Sequence, residues 1–346
     1  MPRIAVCGLG TIGSQVARLL LEHRRGVELV GAASKDPQQI GRPLREVLGL
    51  DRGGGPVVAD SVGALIAEHP DAIVLATGSF LPDVLDDVLA CARAGVSVVS
   101  PCEELAYPYS RDPAVAAEIH EAACAGGATI LGSGVNPGFI FDTLVATATG
   151  VAWDVEAIRG RRVVDTFEFG QNIHLRLGIG YTPEEFDRGH EDGSIAGHVG
   201  FPESIQIVCE RLGVQLDHPV EETFEPLIAA TPAPTKYGRV EAGRTEGFVQ
   251  RATGVVGGHD FIRFELLLHL RPREAGYEPA DTFTIDGRHP VNLTLSPGMD
   301  AVLATSAELV NSLPGLIGAQ PGLKTVKDLP AATAWLGAMR DSLIRA

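Results

Sequence analysis

Positive charge is scarce in this sequence. Lysine and arginine number 28 against 44 aspartates and glutamates, a net charge of −16. A polyphosphate partner therefore has little to hold it, and nucleic acid is not an expected ligand. Cysteine is sparse as well, five in 346 residues. Cys7, Cys91, Cys102, Cys124 and Cys209 are odd in number, include no CxxC pair and mostly sit in apolar stretches, the usage of a reducing compartment rather than of a disulfide scaffold. No stretch reads as a membrane span: the longest uncharged run, Ala122 to Phe141, is broken by glycines and Pro137. The opening MPRIAVCGLG runs directly into a strand with no basic leader. The expectation is a cytoplasmic protein with no membrane partner. The histidines form no HExxH and stand at no metal-ligand spacing, so no metal is expected, and without a GxSxG there is no visible machinery for hydrolysis.

What is present is core material: 346 residues, 45% apolar and 21% charged, too long for one ordinary core and suited to two domains. Short β-branched runs alternate with amphipathic stretches through the first 134 residues, which predicts βαβ units on a parallel sheet. The predicted strands are Ile4 to Cys7, Glu28 to Ser34, Ala72 to Thr77, Ser97 to Ser100 and Thr129 to Gly132, with helices from near Gly13, Leu81 and Pro113. Gln38 to Gly55 reads as a helix and a Gly-rich loop, and Ser61 to Glu68 as a short helix. After Asn136-Pro137-Gly138 the pattern changes to a helix (Phe141 to Thr149) and then strands at Val155 to Val164, Arg239 to Ala242 and Phe261 to Leu270. A helical interruption lies at Pro183 to Gly213, and two C-terminal helices are predicted at Asp300 to Leu313 and Leu329 to Leu343.

Gly8-Leu9-Gly10-Thr11-Ile12-Gly13 follows the first strand and opens an apolar-periodic helix. The first glycine permits the tight turn, the second admits a pyrophosphate, and the third lets helix and strand pack closely, while Thr11 and Ile12 begin a helix whose N–H groups face the anion. The fold class is therefore α/β, with residues 1–135 a Rossmann NAD(P)-binding domain on a doubly wound parallel sheet. Residues 136–300 form a second α+β domain for substrate binding and oligomerisation, and residues 301–346 are helices packing back on the first. At the end of the second strand, Ser34 and Lys35 stand where an acid would select NAD, which favours NADP(H) over NAD(H). Thr77, Gly78 and Ser79 end the next strand at the ligand edge of the sheet and are expected beside the nicotinamide ribose.

Glu103 and Glu104 follow the strand Ser97 to Ser100. This acidic pair at the cofactor edge is either a helix first-turn pair or a working acid/base. Gly132-Ser133-Gly134-Val135-Asn136-Pro137-Gly138-Phe139 follows the last core strand. Asn136 is placed to orient a substrate or the nicotinamide amide, and Phe139 and Phe141 to wall an apolar pocket; a hinge turn with core aromatics is the other reading. His174 and His198 lie in loop-rich parts of the second domain, where each either touches substrate or serves as a structural histidine. The run Arg159 to Arg162 reads as a solvated strand face.

GLGTIG, ATGSF, PCEELAYP, GSGVNPGF and GHVGFPESI (Gly197 to Ile205) together resemble the dihydrodipicolinate-reductase-like family, and within it the 2,4-diaminopentanoate dehydrogenase and native amine dehydrogenase branch. The resemblance covers nearly the whole chain. It implies NAD(P)H-dependent reductive amination of a ketone or aldehyde with ammonia, and the reverse oxidative deamination of a primary amine. It places the catalytic carboxylate at Glu104, with Glu103 the alternative. Val163 to Arg176 does not carry the His-His-x-x-Lys-x-Asp stretch of true dihydrodipicolinate reductases, so that reaction is not implied.

Three other readings stay open, a dihydrodipicolinate-reductase-like reductase being one. An NADP-dependent carbonyl or alcohol dehydrogenase would use Tyr107 or Tyr109 as proton donor, and a non-catalytic NADP sensor would bind cofactor without turnover. The expected partners are a small ketone, aldehyde or amine with ammonia, and a second copy of the chain in a homodimer, since the second domain's sheet must cover its outer face.

Overall fold

The computed structural model describes residues 1–50, 54–195 and 197–339. In chain order the elements are β1 (Arg3–Cys7), α1 (Thr11–His23), β2 (Glu28–Ala33), α2 (Leu44–Val47), β3 (Val58–Ala59), α3 (Val62–Ile66), β4 (Ala72–Leu75), α4 (Leu81–Arg93), β5 (Ser97–Ser100), α5 (Pro113–Gly126) and β6 (Thr129–Gly132). There follow α6 (Thr143–Ala148), β7 (Ala157–Asp165), α7 (Gln171–Arg176), α8 (Pro183–Glu191), α9 (Phe201–Leu212), β8 (Glu221–Ile228), β9 (Ala233–Thr235), β10 (Gly238–Val240), β11 (Thr245–Val256) and β12 (His259–His269). The last are β13 (Ala280–Asp286), β14 (Val291–Leu295), α10 (Ala301–Gly318) and β15 (Gly322–Lys324). The chain forms two compact units, residues 1–143 with 300–346, and residues 144–299.

The first unit holds a seven-stranded parallel sheet in the order β15-β6-β5-β4-β1-β2-β3. That is the doubly wound 3-2-1-4-5-6 order with one added edge strand, and its topological switch point lies between β1 and β4. β4, β5 and β6 are buried along their whole length, which is why they read as continuous apolar runs rather than alternating ones. The five long core strands fall where the apolar runs predict them. β3 and β15, two and three residues long, carry too little pattern to be seen.

α10 is the one helix among the described residues long and apolar enough to cross a membrane. It packs on α1 and against β4, β5 and β6, and Glu308 is its single charged residue. Beyond it the structure differs from expectation. Residues 329–339 form no long helix: Met339 donates its N–H to the Arg25 carbonyl (3.1 Å), and Trp335 Nε1 donates to the same oxygen (3.2 Å). The segment is held by bonds to Arg25, in the turn between α1 and β2, rather than by a helical ladder of its own. The remainder of that predicted helix lies outside the described residues. The predicted Gln38 helix is likewise reduced to turns and the single helical turn of α2, with Gly41 at φ +79° and Pro43 interrupting it; residues 51–53 of that stretch lie outside the described residues.

The second unit is built on a six-stranded sheet in the order β14-β13-β7-β12-β11-β8, antiparallel except for the β7–β12 pair. Phe201 meets Phe264 (ring centroids 6.0 Å apart) and Phe186 meets Phe248 (6.1 Å), so α8 and α9 cover one face. On the other face Arg159, Arg161, Arg251 and Arg263 are exposed. Arg162, the neighbour predicted to share that solvated face, instead lies buried with its Nε 3.3 Å from the buried Asp281. Strand alternation turns it the opposite way from Arg161.

Candidate active site

The carboxyl ends of β1, β4, β5 and β6 are stitched together by short bonds. Ala76 N–H donates to the Cys7 carbonyl (2.7 Å) across the switch point, and the Ser100 hydroxyl donates to the Leu75 carbonyl (2.7 Å) while accepting from Cys102 N–H (3.2 Å). Ser133 N–H donates to the Ser100 carbonyl (2.9 Å). Three loops predicted from sequence are thus brought to one edge of one sheet: the Gly8 turn, Thr77 to Ser79, and the Glu103 turn, with the Asn136 loop beside them.

At the turn after β1, Gly8 has φ +92°, and a Cβ there would sit 2.3 Å from the Ala76 carbonyl oxygen. A Cβ on Gly13 would lie 1.7 Å from the Gly8 oxygen. Gly10 is different: nothing lies within 4 Å of its Cβ position. The outer two glycines serve the fold, and the middle one leaves open space before the N-terminus of α1, which has no side-chain cap and no acid in its first turn. Thr11 and Ile12 supply that turn's free N–H groups, a seat for a pyrophosphate. Around it, Thr77 Oγ1 and Asn136 Oδ1 are buried with no hydrogen-bond partner among the described residues. A buried polar atom left so is costly unless a ligand completes it, so the residues present fit a dinucleotide.

At the end of β2, Ser34 is buried and its Oγ accepts the Asp36 N–H (3.1 Å), while Asp36 Oδ1 accepts the Gln38 N–H (2.9 Å). Asp36, the only acid there, is committed to this local turn. Lys35 is exposed.

Glu103 to Ala106 form one turn of 3₁₀ helix directly after β5. Glu104 is buried. Its Oε2 accepts the N–H of Leu81, the first residue of α4, at 2.8 Å, and its Oε1 lies 3.0 Å from Arg111 Nη1. No side chain caps α4 at Phe80, so this carboxylate satisfies the helix end from a distance and fixes the Thr77 to Phe80 loop that leads into it. Glu103 is half-buried at the same edge. The turn presses on β6: a Cβ on Gly132 would lie 2.3 Å from Ala106 N.

Asn136 and Phe139 are half-buried, while Phe141 is fully buried. The fully buried Asp142 holds this loop, its Oδ2 accepting the Gly138 N–H (2.7 Å). In the second unit His174 is buried with Nε2 2.7 Å from the Thr166 carbonyl, and its ring meets Tyr237 edge-on. His198 is fastened by Gln250, which accepts its N–H (2.7 Å) and donates to its carbonyl (2.8 Å). Burial, with the nearby Arg162 charge, pushes its imidazole down to about 3, so it is neutral. Two groups not predicted from sequence also bear on the site. Arg111 pairs with Glu104, and Glu308 on α10 reaches Ser133; a lone carboxylate in an otherwise uncharged helix was the available signal for the latter.

A model of the 2,4-diaminopentanoate dehydrogenase C-terminal domain matches residues 139–345. The chain is 33% identical over 341 residues to a 2,4-diaminopentanoate dehydrogenase of Acetoanaerobium sticklandii, covering 98% of this chain and 96% of that one. This chain belongs to the 2,4-diaminopentanoate dehydrogenase family. It is also 27% identical to an amine dehydrogenase of Streptomyces virginiae, over 95% of this chain and 96% of that one. The structure of an amine dehydrogenase from Mycobacterium smegmatis superposes with a TM-score of 0.84 at 27% identity, covering 97% of this chain and 98% of that one. The resemblance carried by the PCEEL, NPGF and GHVGFPES segments, and the Rossmann fold, are borne out.

The glycine geometry makes a separable prediction. Gly10→Val will fold like the parent and lose NAD(P)H affinity by roughly tenfold or more, about 1.4 kcal/mol per tenfold, whereas Gly13→Val will cost about 3 kcal/mol of stability through overpacking. Thermal unfolding and cofactor fluorescence titration of both variants check it; an unchanged affinity in Gly10→Val contradicts the pyrophosphate seat.

Proposed function

We propose that this protein is an NAD(P)-dependent amine dehydrogenase that joins ammonia to a small ketone or aldehyde, and in reverse deaminates a primary amine. The observation that carries the reading is the carboxylate pair set at the switch-point edge of a Rossmann sheet, in a chain whose full-length relatives include proteins named for amine dehydrogenation. When bound, the nicotinamide supplies or accepts hydride.

The chain's own residues supply the rest. Gly10, Thr11 and Ile12 seat the pyrophosphate, and Thr77 and Asn136 offer the buried oxygens that meet the nicotinamide end. Ser34 and Lys35, with no free acid beside them, favour a 2′-phosphate and hence NADP over NAD. Both oxygens of Glu104 are already engaged, by Leu81 N–H and by Arg111. We assign Glu104 to position the loops and Glu103, half-buried at the same sheet edge, to the acid/base role: as a carboxylate it holds the ammonium ion, takes a proton as nitrogen adds to the carbonyl, and returns one to the departing water. Its charge also stabilises the iminium cation. This reverses the preference for Glu104 given by resemblance alone. Phe139 is placed to wall the apolar end of the substrate. A tyrosine donor for simple carbonyl reduction has less support, because the Tyr109 hydroxyl donates to the Leu323 carbonyl on the edge strand β15 (3.4 Å), away from the switch point.

The exposed face of the six-stranded sheet is proposed to seat a second copy of the chain. Arg159 pairs with Asp286, Arg161 with Glu265, Arg251 with Glu225 and Glu265, and Arg263 with Asp260. This strip is charge-balanced in a chain of net charge −16, so two copies related by a two-fold axis meet here without the repulsion they meet elsewhere. A monomeric mass by sedimentation would overturn this.

The test of function is cofactor oxidation over a panel of short ketones and aldehydes with and without ammonium. Oxidation is expected only with ammonium, and more readily with NADPH than with NADH. Glu103→Gln should lower turnover about 10²- to 10⁴-fold with cofactor binding intact. Ammonium-independent oxidation contradicts the amine reading, and full turnover in Glu103→Gln removes Glu103 from it.

A further inference from the structure

The loop that carries Asn136 is held from α10. Thr305 Oγ1 accepts the Val135 N–H (3.2 Å), and Glu308 Oε1 accepts the hydroxyls of Ser133 (3.2 Å) and Ser312 (3.1 Å). On another side of the same helix the Ser306 hydroxyl, which donates to the Val302 carbonyl of its own helix (2.8 Å), lies 3.4 Å from the Ile12 carbonyl, at the phosphate-binding turn of α1. One helix therefore touches both ends of the dinucleotide seat. Glu308 also lines a cavity of about 40 Å³ whose other polar walls include Thr143, Asn311, Ser312 and Thr333. That volume is room for a few waters, a route by which its carboxyl can gain or lose a proton.

The charged groups around Glu308 are few. Asp142, at the start of α6, is the ionisable neighbour that acts on it. From the end of α1, Arg24 is spent on the Asn311 side-chain oxygen (2.8 Å), and no cation pairs with Glu308 among the described residues. Burial, with Asp142 adding to it against the pull of the two serine hydroxyls, pushes the carboxyl up to about 7. A buried acid with no cation partner costs stability when it ionises.

We propose that Glu308 is a positioning residue for cofactor binding: through Ser133 it fixes the loop that presents Asn136, and it grips that loop more firmly as a carboxylate than as a neutral acid. The proposal rests on the reading of Asn136 as a nicotinamide contact. The physical reason for the sign is that a carboxylate accepts hydroxyl hydrogen bonds about twice as strongly as a neutral oxygen does. Stability runs the other way. The folded group is raised above its unfolded value, so the stability it contributes is complete at pH below about 4.5 and is lost as pH rises through about 7.

The experiment titrates NADPH, and separately 2′-phospho-ADP-ribose, which lacks the nicotinamide, into wild type, Glu308→Gln, Ser133→Ala and Asn136→Ala between pH 6 and 8. Wild-type affinity for NADPH is expected to rise several-fold with a midpoint near 7. Glu308→Gln should be flat at the weaker level, Ser133→Ala weaker throughout, and 2′-phospho-ADP-ribose binding unaffected in both. Glu308→Gln should also gain stability relative to wild type as pH rises from 5 to 8. Glu308→Gln that keeps the wild-type pH profile overturns the proposal while Asn136→Ala still weakens NADPH. Equal loss of both ligands overturns it as general unfolding of the seat. Wild-type NADPH binding by Asn136→Ala shows instead that the nicotinamide reading itself is wrong, and the proposal falls with it.

Discussion

The close approach of β1, α1 and β4 at the glycine turn is the constraint on which the rest of the molecule depends. Backbone must pass backbone at distances no side chain allows: a Cβ on Gly8 would strike the Ala76 carbonyl, and one on Gly13 the Gly8 carbonyl. With those two positions reduced to backbone, α1 begins immediately above the sheet and its free N–H groups open onto the space over Gly10. The strand order then does the remaining work. Because β1 and β4 are neighbours whose connections run to opposite sides, the loops after β4, β5 and β6 face the same crevice.

Function is layered on this frame by polar groups that answer to two demands. Glu104 and Asp142 both tie loops to the frame: the first links the start of α4 to the end of β5, the second closes the turn into α6. Thr77 and Asn136 have the opposite character, with buried oxygens that the fold itself leaves unsatisfied. Buried oxygens that the fold itself leaves unsatisfied are the clearest guide to where a ligand belongs.

Much of this was legible in the sequence because it rests on local pattern. Buried parallel strands read as short apolar runs, the glycine spacing marked the dinucleotide turn, and the PCEEL and GSGVNPGF segments were found at the right sheet edge. What escaped was set by distance along the chain. β15 and β3 are too short to show a period. Trp335 and Met339 donate to the carbonyl of Arg25, some 310 positions earlier. Arg162 was grouped with its exposed neighbours because the sequence does not say that Asp281 lies opposite on β13. The bond from Leu81 N–H to Glu104 joins positions 23 apart and has no signal in the local pattern. Glu308, likewise, acquires meaning only once α10 is laid across the Asn136 loop.

The most direct measurement is isotopic. NADPH carrying deuterium at C4 and ammonium carrying nitrogen-15 are supplied together with a short ketone, and the product is weighed by mass spectrometry. The account predicts a primary amine that holds both labels in one molecule, the deuterium on the carbon that bears the nitrogen. An alcohol holding deuterium and no nitrogen-15 would contradict it.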